Sequence, residues 1–93
     1  MKHIALFLAL TLACTTGAQA QCFADYKAKQ DNPLRLHYGV AELSGDCAKG
    51  SATRELRDRL TSQGWTLLQV VSVFGTEGLD QRKESAGRYY LRF

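Results

Sequence analysis

Histidine, proline and tryptophan are scarce in this sequence: its 93 residues include two histidines, one proline, one tryptophan and three cysteines. A zinc site needs three or four nitrogen, sulfur or carboxylate ligands converging on the ion, and no H-x-x-x-H or C-x-x-C spacing supplies them. The same gap argues against a thioredoxin-like redox pair. No G-x-S-x-G, glycine-rich phosphate loop or calcium loop occurs, so Gly45-Asp46 and Gly75-Thr76-Glu77-Gly78 read as turns. No cofactor is expected. Disorder is excluded by a composition that is 45% hydrophobic and 23% charged, the proportions of an ordinary globular protein.

What is present begins with an export signal. Met1-Lys2-His3 precedes an apolar run from Ile4 to Ala13, and Ala18-Gln19-Ala20 supplies an A-x-A cleavage site, so residues 1–20 read as a signal peptide. Residues 21–93 then form a single small domain, placed in the periplasm or secreted. Cleavage behind Ala13 is the competing reading, with Cys14 as an acylated N-terminus, although Thr11-Leu12-Ala13 departs from the usual Leu-Ala-Gly type of box. No later stretch approaches the roughly 20 apolar residues of a membrane span, so the mature chain reads as not transmembrane. Cys22 and Cys47 remain in an oxidising compartment, and a disulfide between them is expected. Closing a loop of that length is worth roughly 3.5 kcal/mol by the chain-entropy argument, a large share of what so small a core supplies.

Three segments carry strand patterns. From Leu34 to Leu43, Leu34, Leu36, Tyr38 and Val40 alternate with Arg35, His37, Gly39 and Ala41. Trp65 to Phe74 is apolar on both sides, with Trp65, Leu67, Val71 and Val73 opposite Leu68, Val70 and Phe74. At the end of the sequence, Tyr89, Leu91 and Phe93 alternate with Arg88, Tyr90 and Arg92. Between the first two lies a helix over Ser51 to Gln63, with Ala52, Leu56 and Leu60 on one stripe, Ser51 as N-cap and Gly64 as terminator. Cys22 to Gln30 fits either helix or strand by pattern. The bridge to Cys47 decides for an extended segment, because a helix of that length is too short to run back along a ten-residue strand that spans about 33 Å. The fold class is therefore α+β: an antiparallel sheet of three to four strands in ββαββ order, packed on one helix and stapled by one disulfide. Gly75 to Gly87 reads as a long polar hairpin loop.

The run Leu56, Leu60, Gly64-Trp65, Leu67 and Val70, followed by a polar loop and Tyr89-Tyr90-Leu91, resembles small bacterial domains of unknown function. Asn32-Pro33-Leu34-Arg35-Leu36-His37-Tyr38-Gly39 resembles a stretch of short exported proteins of Gram-negative bacteria. Neither resemblance brings a catalytic residue with it.

Without the signal, eleven basic residues stand against nine acidic ones. Such a small excess makes nucleic acid a poor partner. On the expected sheet, Lys27, Lys29, Arg35, His37, Arg88, Tyr90 and Arg92 share the face away from the helix. That face is the candidate surface for an anionic glycan, a lipid surface or an acidic envelope protein. The protein then reads as a non-catalytic binding module. The alternatives are an accessory envelope protein without a ligand, or a small hydrolase using Glu42, in register with its strand's buried face, or His37, read as solvent-exposed. Leu68, Val70 and Phe74 also need cover, which a homodimer would provide.

Overall fold

The computed structural model describes residues 21–93, so the expected export signal and the Cys14 alternative lie outside the described residues. The elements are β1 (Cys22–Gln30), β2 (Arg35–Leu43), α1 (Lys49–Ser62), β3 (Thr66–Phe74) and α2 (Asp80–Ala86). Single 3-10 turns stand at Thr76–Gly78 and Gly87–Tyr89. The sheet order is β2-β1-β3 and both pairings are antiparallel, so β2 and β3 run parallel to each other on either side of β1. A Cys22–Cys47 disulfide is present. The α+β class, the antiparallel sheet, the staple and the extended 22–30 segment are all as the sequence led one to expect.

Local chemistry explains the packing of α1. Cys22, Ala24, Tyr26 and Ala28 of β1 face Ala52, Leu56 and Leu60 of α1, and Ala41 and Leu43 of β2 join them. The alanines let the helix approach closely. Tyr26 pairs with Gly39 across the strands, and a Cβ at Gly39 would come within 2.5 Å of the Tyr26 hydroxyl. The glycine therefore seats the ring over β2. The helix ends at Gly64, whose φ of 85° lets the Trp65 amide donate to the Leu60 carbonyl at 2.9 Å. At its other end α1 starts at Lys49, ahead of the expected Ser51 cap, and no side chain caps it. The Glu55 carboxylate instead reaches out of the helix to accept from the Ser44 amide at 3.1 Å, the Ser44 hydroxyl at 2.8 Å and the Gly45 amide at 3.2 Å.

Four expectations are corrected. The faces of β2 are reversed: His37, Gly39 and Ala41 point toward α1, while Val40 and Tyr38 lie on the opposite side and Leu34 and Leu36 are exposed. The reason is the hairpin. Gln30 pairs with Arg35 across the four-residue turn Asp31–Leu34, and this even loop aligns Lys27 with Tyr38 and Ala28 with His37. In β3, register shifts opposite Asp25/Tyr26 and Lys27/Ala28 bring Val70 onto the α1 face with Leu67 and Val73, and leave Val71 exposed. The expected loop 75–87 contains α2, whose inner surface takes Leu79, Arg82, Lys83 and Ala86 at helical spacing. The expected last strand, 88–93, is a 3-10 turn followed by one parallel bridge of Tyr90 to Val40 at the edge of β2. Of the residues said to need cover, Val70 is buried under α1 and Phe74 packs against Phe23 and Arg82, so Leu68 alone stays open.

Candidate functional site

The seven residues expected on one basic face are divided by this geometry. Lys27, exposed, and Lys29, half-buried, lie on the α2 side of β1, whereas Arg35 and His37 belong to the α1 side of β2. Tyr90 packs with Val40 and Ala86 on the α2 side, beneath the Lys83 ammonium. Arg88 and Arg92 border a shallow depression of about 280 Å³ with Tyr89 and Phe93. There the Arg88 guanidinium stands 5.5 Å from the Tyr89 ring centroid.

His37 is not a solvent-side residue: it is 8% exposed and enclosed by rings. Tyr89 stacks on it with centroids 3.8 Å apart, and Trp65 meets it edge-on at 4.3 Å. Its Nε2 and the Tyr26 hydroxyl share a hydrogen bond of 2.9 Å, while Nδ1 is buried with no partner among the described residues. Burial holds the imidazole below its usual pKa and favours the neutral form. The rings cover most of the imidazole, and His37 also borders a depression of about 330 Å³ with Lys27, Ala28, Leu36, Tyr38 and Leu68.

Glu42, expected in register with a buried face, is exposed near the end of β2. Its carboxylate accepts from Gln21 at 3.1 Å. It borders a depression of about 370 Å³ with Leu43, Ser44, Glu55, Arg59 and Leu91. Glu55 there is already committed to Ser44, Gly45 and Arg59; burial raises its pKa, but these bonds outweigh burial and hold it below the usual value. Of the two carboxylates of this depression, that of Glu55 is thus used for holding the chain together, and that of Glu42 is exposed. Among the described residues no group of three or more histidine, cysteine or acidic side chains is placed to hold a metal ion. No described helix is long and apolar enough to cross a membrane.

The α2 side of the sheet holds two features that the sequence reading missed. The first is a buried polar cluster. Asp25, 4% exposed, accepts from the Ser72 hydroxyl at 2.6 Å, the Tyr38 hydroxyl at 2.7 Å and the Arg82 Nε at 3.1 Å. Arg82 also lies 4.0 Å over the Phe74 ring and donates to the Gly78 carbonyl at 2.7 Å. Burial raises the Asp25 pKa, but the three hydrogen bonds and the guanidinium charge prevail and hold it below the ordinary value. Tyr38 is pushed up to about 12 by burial first and then by donating to that carboxylate.

The second feature is a bare end. The short helix α2 covers Phe23, Val40 and their neighbours and stops there. Beyond it, where β1 ends and β2 and β3 begin, Leu34, Leu36 and Leu68 are 64%, 66% and 51% exposed. Leu36 and Leu68 flank Lys27 in a depression of about 330 Å³ that crosses all three strands. Lys27, Lys29 and Arg35 sit at this end, and the one carboxylate beside them, Asp31, pairs with Lys29 at 3.4 Å. Glu42, Asp46, Glu77 and Asp80 collect at the opposite end of the strands. The leucines were discoverable in principle. Leu34 closes the turn and Leu36 follows it, where alternation alone assigns both to a core that the pairing register denies them, and Leu68 lies near the start of β3 on the side that was expected to need cover.

No known family model matches the chain, and neither the curated proteins nor the solved structures contain a significant match.

Proposed function

We propose that this protein is a small exported, non-catalytic binding module that recognises an anionic surface or an acidic partner through the basic end of its sheet. The observation that carries this reading is the separation of charge along the strands. Among the described residues Lys27 and Arg35 are exposed with no carboxylate in ion-pair contact, and Glu42, Asp46, Glu77 and Asp80 stand toward the far end, where Lys49 and Arg59 accompany them. Separated charge of this kind steers and orients an anionic partner. The Cys22–Cys47 bridge is consistent with an oxidising compartment. Against a hydrolase, the imidazole of His37 is largely covered by Tyr26, Trp65 and Tyr89, and among the described residues the carboxylate beside Glu42, that of Glu55, is already bonded to Ser44, Gly45 and Arg59.

The test is retention on an immobilised polyanion, polyglutamate or heparin, as a function of salt. Lys27→Gln with Arg35→Gln is expected to elute at clearly lower salt than wild type, whereas Glu42→Gln with Asp46→Asn is expected to elute no earlier than wild type. Arg88→Gln with Arg92→Gln measures the contribution of the other basic edge. A wild type that flows through at low salt, or a Lys27/Arg35 variant retained like wild type, overturns the reading.

A further inference from the structure

We infer that the anionic partner is a phospholipid surface, on which the Leu34, Leu36 and Leu68 end of the sheet docks with its leucines entering the headgroup layer. This deepens the binding reading above and rests on it. Three observations together select a bilayer. The exposed leucines are at an extremity of the fold, Leu34 in the β1–β2 turn and Leu36 and Leu68 at the starts of their strands, so they project first toward a flat surface. A cluster of exposed leucines at a projecting tip costs solubility and has no use inside the chain, since α2 ends short of it. The cations are arranged around these leucines: Lys27 lies between Leu36 and Leu68, Lys29 pairs with Leu36 across the strands, and Arg35 separates Leu34 from Leu36.

That pattern, apolar tips interspersed with lysine and arginine at one end of the sheet, with Lys29 alone paired to a carboxylate, Asp31, matches an anionic membrane interface, where phosphates lie outside the first acyl carbons. The long basic stems reach outward to phosphate while their methylenes lie along the leucines. An acidic protein would satisfy the cations, but it would leave the protruding leucines without a reason unless it also carried a matching cleft. The carboxylates at the opposite end of the sheet would be turned away from the negative surface, and their repulsion would keep the molecule standing on its basic end.

The experiment is co-sedimentation with vesicles of phosphatidylcholine containing about one third phosphatidylglycerol, against vesicles of phosphatidylcholine alone, read as a partition coefficient. Every variant carries the same N-terminus, so differences among variants report on this end of the sheet. Wild type is expected to bind the anionic vesicles and to be released by salt. Leu36→Ser is expected to weaken binding about tenfold, and Lys27→Gln or Arg35→Gln about fivefold each. Leu91→Asn, an exposed leucine on the far edge of β2, is expected to leave binding unchanged. Thermal melting of each variant checks that it folds, which substitutions at exposed positions should permit. Binding unaffected by Leu36→Ser overturns the docking mode. Absence of binding to anionic vesicles, with retention on polyglutamate intact, overturns the lipid proposal while leaving the binding module standing with an acidic protein as partner. Loss on both supports removes both.

Discussion

The two faces of one sheet are covered in opposite ways. Toward α1, cover comes from volume: three apolar helix residues, a row of alanines and the rings of Tyr26, Trp65 and Phe93, with His37 as a neutral filler among them. Toward α2, cover comes from tethers: a seven-residue helix held by Asp25, Ser72, Tyr38 and Arg82, with the guanidinium lying on Phe74. A helix of fourteen residues buries enough surface to dock by itself. One of seven does not, and its attachment is specified by charge and hydrogen bonds. The tethered cover also ends sooner, and the part of the sheet it leaves bare is where Leu34, Leu36 and Leu68 meet the unpaired cations.

The sharpest way to break this comparison is to remove volume from one face and charge from the other. Leu56→Ala, at a position with no exposure, is expected to cost about 3 kcal/mol through lost transfer energy and the cavity left behind. Urea unfolding should show it as a lower midpoint with an unchanged slope. Arg82→Met keeps an unbranched apolar side chain but removes the guanidinium from Phe74 and deprives the buried Asp25 of its charged partner. Because Arg82 is partly exposed and water can reach the site, the expected cost is about 2 kcal/mol. The same variant should also increase amide exchange within α2 while α1 remains protected. Equal loss of protection in both helices would mean that the two faces fold as one inseparable unit.

How much of this was readable in advance divides along the same line. Ala52, Leu56 and Leu60, the Gly64 stop and the bridged cysteines are local patterns whose physics does not depend on a partner strand, and they were legible. Glu55 and Arg59, four residues apart on α1, are a local pattern of the same kind and pair at 3.0 Å. The faces of β2 were not legible, because they depend on whether the hairpin loop has an odd or an even number of residues, and a turn containing Asn32-Pro33 is compatible with both. The register shifts in β3 leave no mark in a run that is apolar on both sides. Helix α2 was hidden for a different reason: its inward stripe uses Arg82 and Lys83, long cations that cover Phe74 and Tyr90, where a hydrophobic pattern search sees only solvent-facing charge. Those misassignments scattered the expected basic face, and the leucines assigned to the core turned out to mark the candidate surface.

The smallest expected effect is the most specific, because the two faces should yield to acid in separate windows. His37 is held below its ordinary value of 6.5 by burial; Lys27 borders the same depression, Arg88 lies over the Tyr89 ring and Arg35 is two residues away on its own strand, and these cations give a proton no welcome. As pH falls below about 6.5 the unfolded chain takes up this proton before the folded one does. The contribution of neutral His37 is therefore complete above that pH and is lost as pH falls through the folded value. Asp25 is held below 3.8, so its contribution is complete above 3.8 and is lost as pH falls below it, whereas Glu55, held below 4.5, begins to lose its contribution once pH falls below 4.5. Between pH 7 and 5 the urea midpoint should fall modestly, and the near-ultraviolet signal of Trp65 and Tyr89 should change with it. His37→Gln should remove that early step and keep the later one, whereas Arg82→Met should alter the later one and keep the early step. A wild-type midpoint that is flat from pH 7 to 5 would show that the ring cage accepts the imidazolium, stabilised by the stacked face of Tyr89 and by the Tyr26 hydroxyl accepting from Nε2.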